Sequence, residues 1–223
     1  MERPCPMRDF QDDDRRYGSR DAEEIDRRES SREGQPFDDG DLIQQGWRRT
    51  IFNFDLPDYT PVNQQCRYDI QDRPGVEHRR KKFYPRRLSD TNLAPDVLRF
   101  KRDRGHNVDF IFGPGKRRVI YNWPAIVRVG PPGPVFVTEG ERNAQDLIDR
   151  GLLATTVINK TWTAECVGAL SGFELFIMED NDESGRRYAA YTQGLLSRVA
   201  ESTRVVTMAH LWRHLPRGNP DAV

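Results

Sequence analysis

Two stretches decide how the second half of this chain folds: Val135-Phe136-Val137-Thr138-Glu139-Gly140-Glu141 and Glu174-Leu175-Phe176-Ile177-Met178-Glu179-Asp180-Asn181-Asp182-Glu183-Ser184-Gly185. Each is a short apolar run that stops at an acidic cluster. Such runs, bounded by turn formers, read as buried strands. Behind the first, residues 142–150 put Ala144, Leu147 and Ile148 on one helical face, and Gly151 ends the helix. Residues 154–158 read as a second strand. Residues 163–170 read as a second helix with Thr163 as N-cap. After the third strand, residues 185–200 place Tyr188, Tyr191, Leu195 and Val199 at helical spacing, and residues 204–208 read as a fourth strand. This alternation predicts an α/β fold, a parallel sheet flanked by helices.

In open parallel sheets, ligands sit beyond the carboxyl ends of the strands. Both acidic clusters fall at such ends, about 40 residues apart. Residues two apart on extended backbone project to one side, so Asp180 and Asp182 present two carboxylates together. Carboxylates are hard oxygen donors suited to Mg²⁺, with Mn²⁺ as a substitute. Gathered negative charges call for a cation or a proton. The pattern predicts a metal site on Glu139, Asp180 and Asp182. Gly140 permits a tight strand-to-helix turn, and Gly185 opens the helix behind the second cluster.

The run Val135-Phe136-Val137-Thr138-Glu139-Gly140-Glu141-Arg142-Asn143-Ala144 resembles the first motif of Toprim domains. Leu175-Phe176-Ile177-Met178-Glu179-Asp180-Asn181-Asp182-Glu183-Ser184-Gly185-Arg186 resembles their D-x-D motif, in the D-N-D-x-x-G-R form of phage- and plasmid-type primases and primase-helicases. The resemblance covers about residues 117–215. Arg117-Arg118-Val119-Ile120-Tyr121 and Trp123-Pro124 resemble the segment that precedes Toprim there, and Lys82-Phe83 and Arg86-Arg87 resemble a basic, aromatic stretch further upstream. The resemblance implies a Toprim-like, Rossmann-like sheet and Mg²⁺-dependent, primase-like nucleotidyl transfer on a single-stranded DNA template. It also implies replication of a mobile element and a separate helicase or ATPase as partner. By position, Glu139 becomes the general acid/base or a ligand, and Asp180 and Asp182 become the Mg²⁺ ligands. Asn143 stands where many Toprim domains carry Asp, and no zinc module is visible. A Toprim nuclease using the same acids, and a non-catalytic nucleic-acid-binding or adaptor module for a partner ATPase, remain open at this level.

The rest of the chain has a different texture. Of 223 residues, 36% are hydrophobic and 31% charged, an apolar fraction low enough to predict a disordered part. The zero net charge conceals a pattern. Residues 1–40 carry 8 basic and 13 acidic groups, residues 41–130 carry 18 and 10, and residues 131–223 carry 9 and 12. Three units are expected: a disordered charged tail (1–40), a small β-rich basic region (41–130), and the Toprim-like domain (131–223), divided at Gly130-Pro131-Pro132-Gly133. In the middle unit, Thr50-Ile51-Phe52-Asn53-Phe54 and Gln64-Gln65-Cys66-Arg67-Tyr68-Asp69-Ile70 read as a hairpin, and Asp109-Phe110-Ile111-Phe112 as a further strand. The basic residues Arg79, Arg80, Lys81, Lys82, Arg86 and Arg87 flank Phe83 and Tyr84. Phosphates meet Arg and Lys while bases stack on aromatic rings, so this stretch is a candidate for single-stranded nucleic acid. Arg186 is a candidate phosphate contact.

Other features exclude functions. No run of about 18 apolar residues exists, so no membrane span is expected. The charged N-terminus lacks an apolar signal core, and a cytoplasmic protein is expected. Cys5, Cys66 and Cys166 are too scattered for a zinc or disulfide framework. His210 and His214 have metal-like spacing but read, with Trp212 and Leu215, as a packed helix. Tyr188 and Tyr191 read as core or surface residues. Gly113-Pro114-Gly115-Lys116 lacks the spacing of a phosphate loop.

Overall fold

Two four-stranded sheets carry the architecture. The computed structural model describes residues 33–71, 79–88 and 110–207. Strands β1 (Arg48–Asp55), β2 (Pro61–Gln71), β3 (Arg79–Leu88) and β4 (Phe110–Phe112) form an antiparallel meander in that order. The β1–β2 turn closes with Leu56 N donating to Thr60 O at 2.9 Å and Thr60 N donating to Asp58 Oδ1 at 2.9 Å.

Opposed residues of an antiparallel pair share a face. One face of this sheet carries Ile51, Cys66 and Tyr84, and Phe37, Leu42 and Trp47 pack onto it. Leu42 comes from the short helix α1 (Gly40–Gln44). Asp39 fastens this cover, accepting from Tyr68 Oη and from Arg49 Nη1, both at 2.6 Å. Residues 33–39, expected to belong to the tail, therefore lie against the sheet, and residues 1–32 of that expected tail lie outside the described residues. The other face buries Phe52 and Phe54 against Val119 and Ile158, with Tyr121 and Trp123 beside them. That contact joins the antiparallel sheet to the second half of the chain.

Helix α2 (Trp123–Val129) starts with Pro124 in its first turn, where a missing N–H costs nothing. It carries Ile126 into the second core. There, β5 (Pro134–Val137), β6 (Ala154–Thr155), β7 (Glu174–Glu179) and β8 (Ser202–Thr207) pair in parallel in the order β6-β5-β7-β8. Helices α3 (Glu141–Ile148), α4 (Ala164–Gly168) and α5 (Glu183–Leu196) fill the connections. Val135, Val137, Leu175 and Ile177 alternate toward one face, where Ile120, Ile126, Cys166, Leu170, Ala189 and Leu196 meet them. Each such aliphatic side chain stabilises the fold by about 1.5–3 kcal/mol when fully buried. On the opposite face Phe136 stacks on its register partner Phe176, with ring centroids 5.2 Å apart. The fold is thus mixed α/β: a parallel sheet flanked by helices, beside an antiparallel sheet.

Three expectations change in detail. The second parallel strand was expected over residues 154–158 but spans only Ala154–Thr155. The segment before α2 diverts it: Tyr121 N donates to Thr156 O at 2.9 Å, Thr155 Oγ1 donates to Tyr121 O at 2.6 Å, and Val157 bridges Ile120. The third helix begins two residues earlier than expected and ends at Leu196. Finally, Ile120 and Ile126 precede Gly130-Pro131-Pro132-Gly133 yet lie in the core of the parallel sheet. Thr163 does cap α4, its Oγ1 accepting from Cys166 N at 3.2 Å. Cys66 and Cys166 are buried free thiols. No helix among the described residues is long and apolar enough to cross a membrane.

Candidate metal centre

The strand order reverses direction of growth between β5 and β7, the point where open α/β sheets hold ligands beyond their carboxyl ends. The pairing of Val137, the last residue of β5, with Ile177 leaves β7 to run two residues further, to Glu179. Thr138 continues the extended backbone, its N donating to Thr155 O at 3.0 Å, and its Oγ1 donates to Gly140 O at 3.0 Å. Glu139 emerges between them with its side chain only 16% exposed. Its Oε1 lies 2.5 Å from Lys160 Nζ, while its Oε2 is buried without a hydrogen-bond partner. A buried orphan oxygen is uncommon and asks for a partner.

Asp180 and Asp182 follow β7. Asp180 Oδ1 accepts from Asn143 Nδ2 at 3.2 Å, which ties this loop to α3. Burial, then the negative charges of Glu139 and Asp182, push the Asp180 carboxyl above its ordinary range, while Lys160 and Lys81 oppose them. Asp180 therefore lies within electrostatic reach of both other acids. Asp182 is also the N-cap of α5: its Oδ1 accepts from Gly185 N at 2.6 Å. The loop depends on Gly185, where a Cβ would lie 2.6 Å from Asp180 O and 2.7 Å from Asp180 Cβ. Only a glycine lets the first turn of α5 close this tightly over Asp180.

Among the described residues, no three His, Cys, Asp or Glu side chains converge into a ready cage for a metal. The cause is visible in the contacts. Lys160 holds one oxygen of Glu139, and the helix cap holds one oxygen of Asp182. The donor set nevertheless fits Mg²⁺. All its donors are carboxylate oxygens, Glu139 Oε2 lacks a partner, and an ammonium already stands among the acids. Mg²⁺ keeps waters and takes only one or two protein carboxylates in phosphate chemistry, so a closed cage is not required.

Lys160 was not foreseen from sequence. It ends the turn Ile158–Lys160, where Asn159 (φ 51°) and Lys160 (φ 56°) are both left-handed. Two consecutive non-glycine residues there are costly, and such conformations persist where surrounding contacts enforce them. Here Ile158 is buried in the core and Lys160 Nζ lies 5.8 Å from the centre of the Tyr188 ring. Tyr188 is buried and accepts from Trp162 Nε1 at 3.2 Å. Glu141, read as part of the first cluster, turns away. It is 7% exposed, and burial pushes its carboxyl up to about 7, with Arg67 of β2 opposing that rise.

The basic stretch splits by strand alternation. Lys81 is exposed on the face that carries Arg67, Asp69 and Phe83, and its charge reaches Asp180. Arg67 binds Asp69 through two hydrogen bonds of 2.8 and 2.9 Å and lies 5.7 Å from the centre of the Phe83 ring. Lys82 points the other way, 4.7 Å from the centre of the Trp47 ring. At the strand edge Lys81, Lys82, Trp47 and Ile70 line a trough of about 490 Å³. Arg86 departs from expectation. It is 6% exposed, donates from Nε to Gln64 Oε1 at 2.9 Å, and sits 3.9 Å from the Phe110 ring centre, so it supports the sheet and does not face a phosphate. Arg87 donates to Glu33 Oε1 at 2.8 Å. The side chains of Arg79 and Arg80, and residues His210 and His214, lie outside the described residues. Arg186 is exposed at the start of α5 and donates to Glu183 Oε2 at 2.9 Å.

Compared with protein families, curated proteins and solved structures, the chain matches none.

Proposed function

We propose that this chain is a Toprim-like, Mg²⁺-dependent nucleotidyl transferase of the primase type, acting on a single-stranded DNA template in the replication of a mobile element. One observation carries the reading. Glu139 and Asp180 stand at the ends of the two central parallel strands, within electrostatic reach of each other and of Asp182, with Lys160 as countercharge. The two sequence motifs fall on these two strand ends, and the strand order is that of a doubly wound sheet with its switch point between them.

Glu139 Oε2, Asp180 and the second oxygen of Asp182 would hold the cation. When bound, Mg²⁺ supplies neutralising charge for a transferring phosphoryl group. The protein's own contribution is orientation and proton handling. Asn143 holds the Asp180 carboxylate from α3, and the α5 cap fixes Asp182. Glu139 Oε1, once Lys160 leaves it, is the group that accepts the proton of the attacking hydroxyl. Lys160, released from Glu139, gains a free ammonium beside the phosphates. Lys81 and Phe83 offer a charge and a stacking ring to a strand that approaches from the antiparallel sheet.

A second reading, a nucleic-acid-binding adaptor for a separate helicase or ATPase, draws on the same two contacts. The Lys160 ion pair and the Asp182 cap each give an acid a structural task. A primer-synthesis assay with single-stranded DNA, ribonucleotides or deoxyribonucleotides and Mg²⁺ separates the readings. Template-dependent products that vanish in Glu139→Gln support the transferase. Shortening of the template, also lost in Glu139→Gln, would make the protein a Toprim nuclease. Template binding with neither product would leave the adaptor.

A further inference from the structure

A second cavity, of about 870 Å³, opens between the β1–β2 turn and the 113–117 loop, and no acid of the candidate metal centre lines it. Its walls are of two kinds. Leu56, Val62 and Leu88 make an apolar side, and Arg87, Lys116 and Arg117 make a cationic one. Ligand cavities of this size combine an apolar body with a few placed polar groups.

The loop is built around an anion. Gly113 has φ 94°, and a Cβ there would lie 2.5 Å from Glu33 Cδ and Oε1 and 2.7 Å from Oε2. The missing side chain leaves room for a carboxylate. Arg87 is held flat beside it. Its Nη1 donates to Gly113 O at 3.2 Å and to Glu33 Oε1 at 2.8 Å, and a Cβ on Gly115 would lie 2.9 Å from Arg87 Cδ. The Glu33 side chain is 48% exposed, so this ion pair adds little to stability. Arg117 is paired with Glu165, at 2.7 Å. Lys116 is exposed and enters no ion pair among the described residues. An oxyanion of higher charge would gain both Arg87, already oriented, and Lys116, which Glu33 leaves unused.

We infer that this cavity is a binding site for a nucleoside phosphate. The phosphate occupies the seat that Gly113, Arg87 and Lys116 form, the nucleoside lies against Leu56, Val62 and Leu88, and Glu33 is the resident competitor. The inference does not depend on the proposed metal chemistry, because the site uses none of its acids.

The test is calorimetric titration of the full chain in EDTA, which removes any contribution from a metal centre. The probes are ATP, a ten-nucleotide thymidine oligomer and inorganic phosphate. The site predicts ATP or oligomer binding that weakens about tenfold or more in Lys116→Ala, the loss of a charge-assisted contact. Glu33→Gln, by removing the competitor, tightens it about two- to fivefold. Binding by ATP alone assigns a free nucleotide, and binding by the oligomer alone assigns the phosphates of a strand. The inference is overturned by no binding of either at millimolar concentration, by binding indifferent to Lys116→Ala, or by weaker binding in Glu33→Gln. Inorganic phosphate that binds as tightly as ATP removes the nucleoside from the assignment and overturns it in this form. Primer synthesis could fail while this site binds, and the reverse, so the two proposals stand or fall separately.

Discussion

Asp182 has two tasks in this account, and a pair of substitutions pulls them apart. Its Oδ1 accepts the N–H of Gly185 at 2.6 Å and so caps α5. Its other oxygen is assigned to the cation. Asp182→Asn retains an oxygen for the cap but loses the charge, whereas Asp182→Ala loses both. Asn and Asp cap equally well, and replacing either by Ala costs about 1 kcal/mol, within a range of about 0.5–2. For a chain of this length that is a fall in Tm of about 2–4 °C per kcal/mol. A bound cation at about 100 times its Kd would stabilise the fold by about 2.7 kcal/mol. Thermal unfolding in EDTA should therefore give wild type and Asp182→Asn nearly the same Tm, with Asp182→Ala lower. Adding Mn²⁺ should raise the Tm of wild type and leave both variants unmoved. If Asp182→Asn responds to Mn²⁺ as wild type does, Asp182 is a helix cap only and the assignment of its second oxygen is wrong.

Other substitutions probe the surroundings. Lys160→Met removes the ammonium that competes for Glu139, and charges a few ångströms apart at a partly exposed site interact by about 1 kcal/mol after screening; Mn²⁺ affinity should rise about fivefold by calorimetry, while Tm in EDTA falls. Glu141 has a folded pKa of about 7 against an ordinary 4.5, so its protonated form favours the fold. That contribution is complete below the ordinary value and is lost as pH rises through about 7. Relative to wild type, Glu141→Gln should therefore be more stable at pH 8 than at pH 5, by up to about 3 kcal/mol, as read from denaturant unfolding at both pH values. Lys81→Ala should lower the salt slope of single-stranded DNA binding by about 0.7, the share of one phosphate contact. Arg86→Ala should leave that slope unchanged and lower Tm, since Arg86 is packed between Phe37 and Phe110.

The parallel sheet was legible because its strands are runs of apolar residues and its turns are acids and glycines. Val135, Val137, Leu175 and Ile177 announce buried strands from composition alone, and Thr163 announces the start of α4. The positions of Glu139, Asp180 and Asp182 followed from where those runs stop. What lies across the sheet did not follow. Lys160 comes from a turn whose two left-handed residues break no rule visible in Ile158-Asn159-Lys160, and its approach to Glu139 depends on tertiary packing. The second parallel strand was overestimated because Ala154-Thr155-Thr156-Val157-Ile158 has strand composition throughout, while the pairing of residues 120–121 along its edge is non-local. In the basic stretch, alternation could have separated Lys81 from Arg86, since odd and even residues of a strand face opposite ways. Composition alone treats all six cations alike. Gly113 stood out only as part of a stretch without phosphate-loop spacing, and its approach to Glu33 spans 80 residues of chain.

The most direct test of the metal centre is titration of Mn²⁺ and Mg²⁺ into the wild-type chain and into Asp180→Asn, with and without single-stranded DNA. Asp180→Asn preserves the size and the acceptor oxygen that Asn143 contacts, so the folded loop is retained while one charge is lost. The account predicts cation binding by the wild type that disappears in the variant. Absence of binding by the wild type under every condition, or equal binding by both proteins, would contradict it.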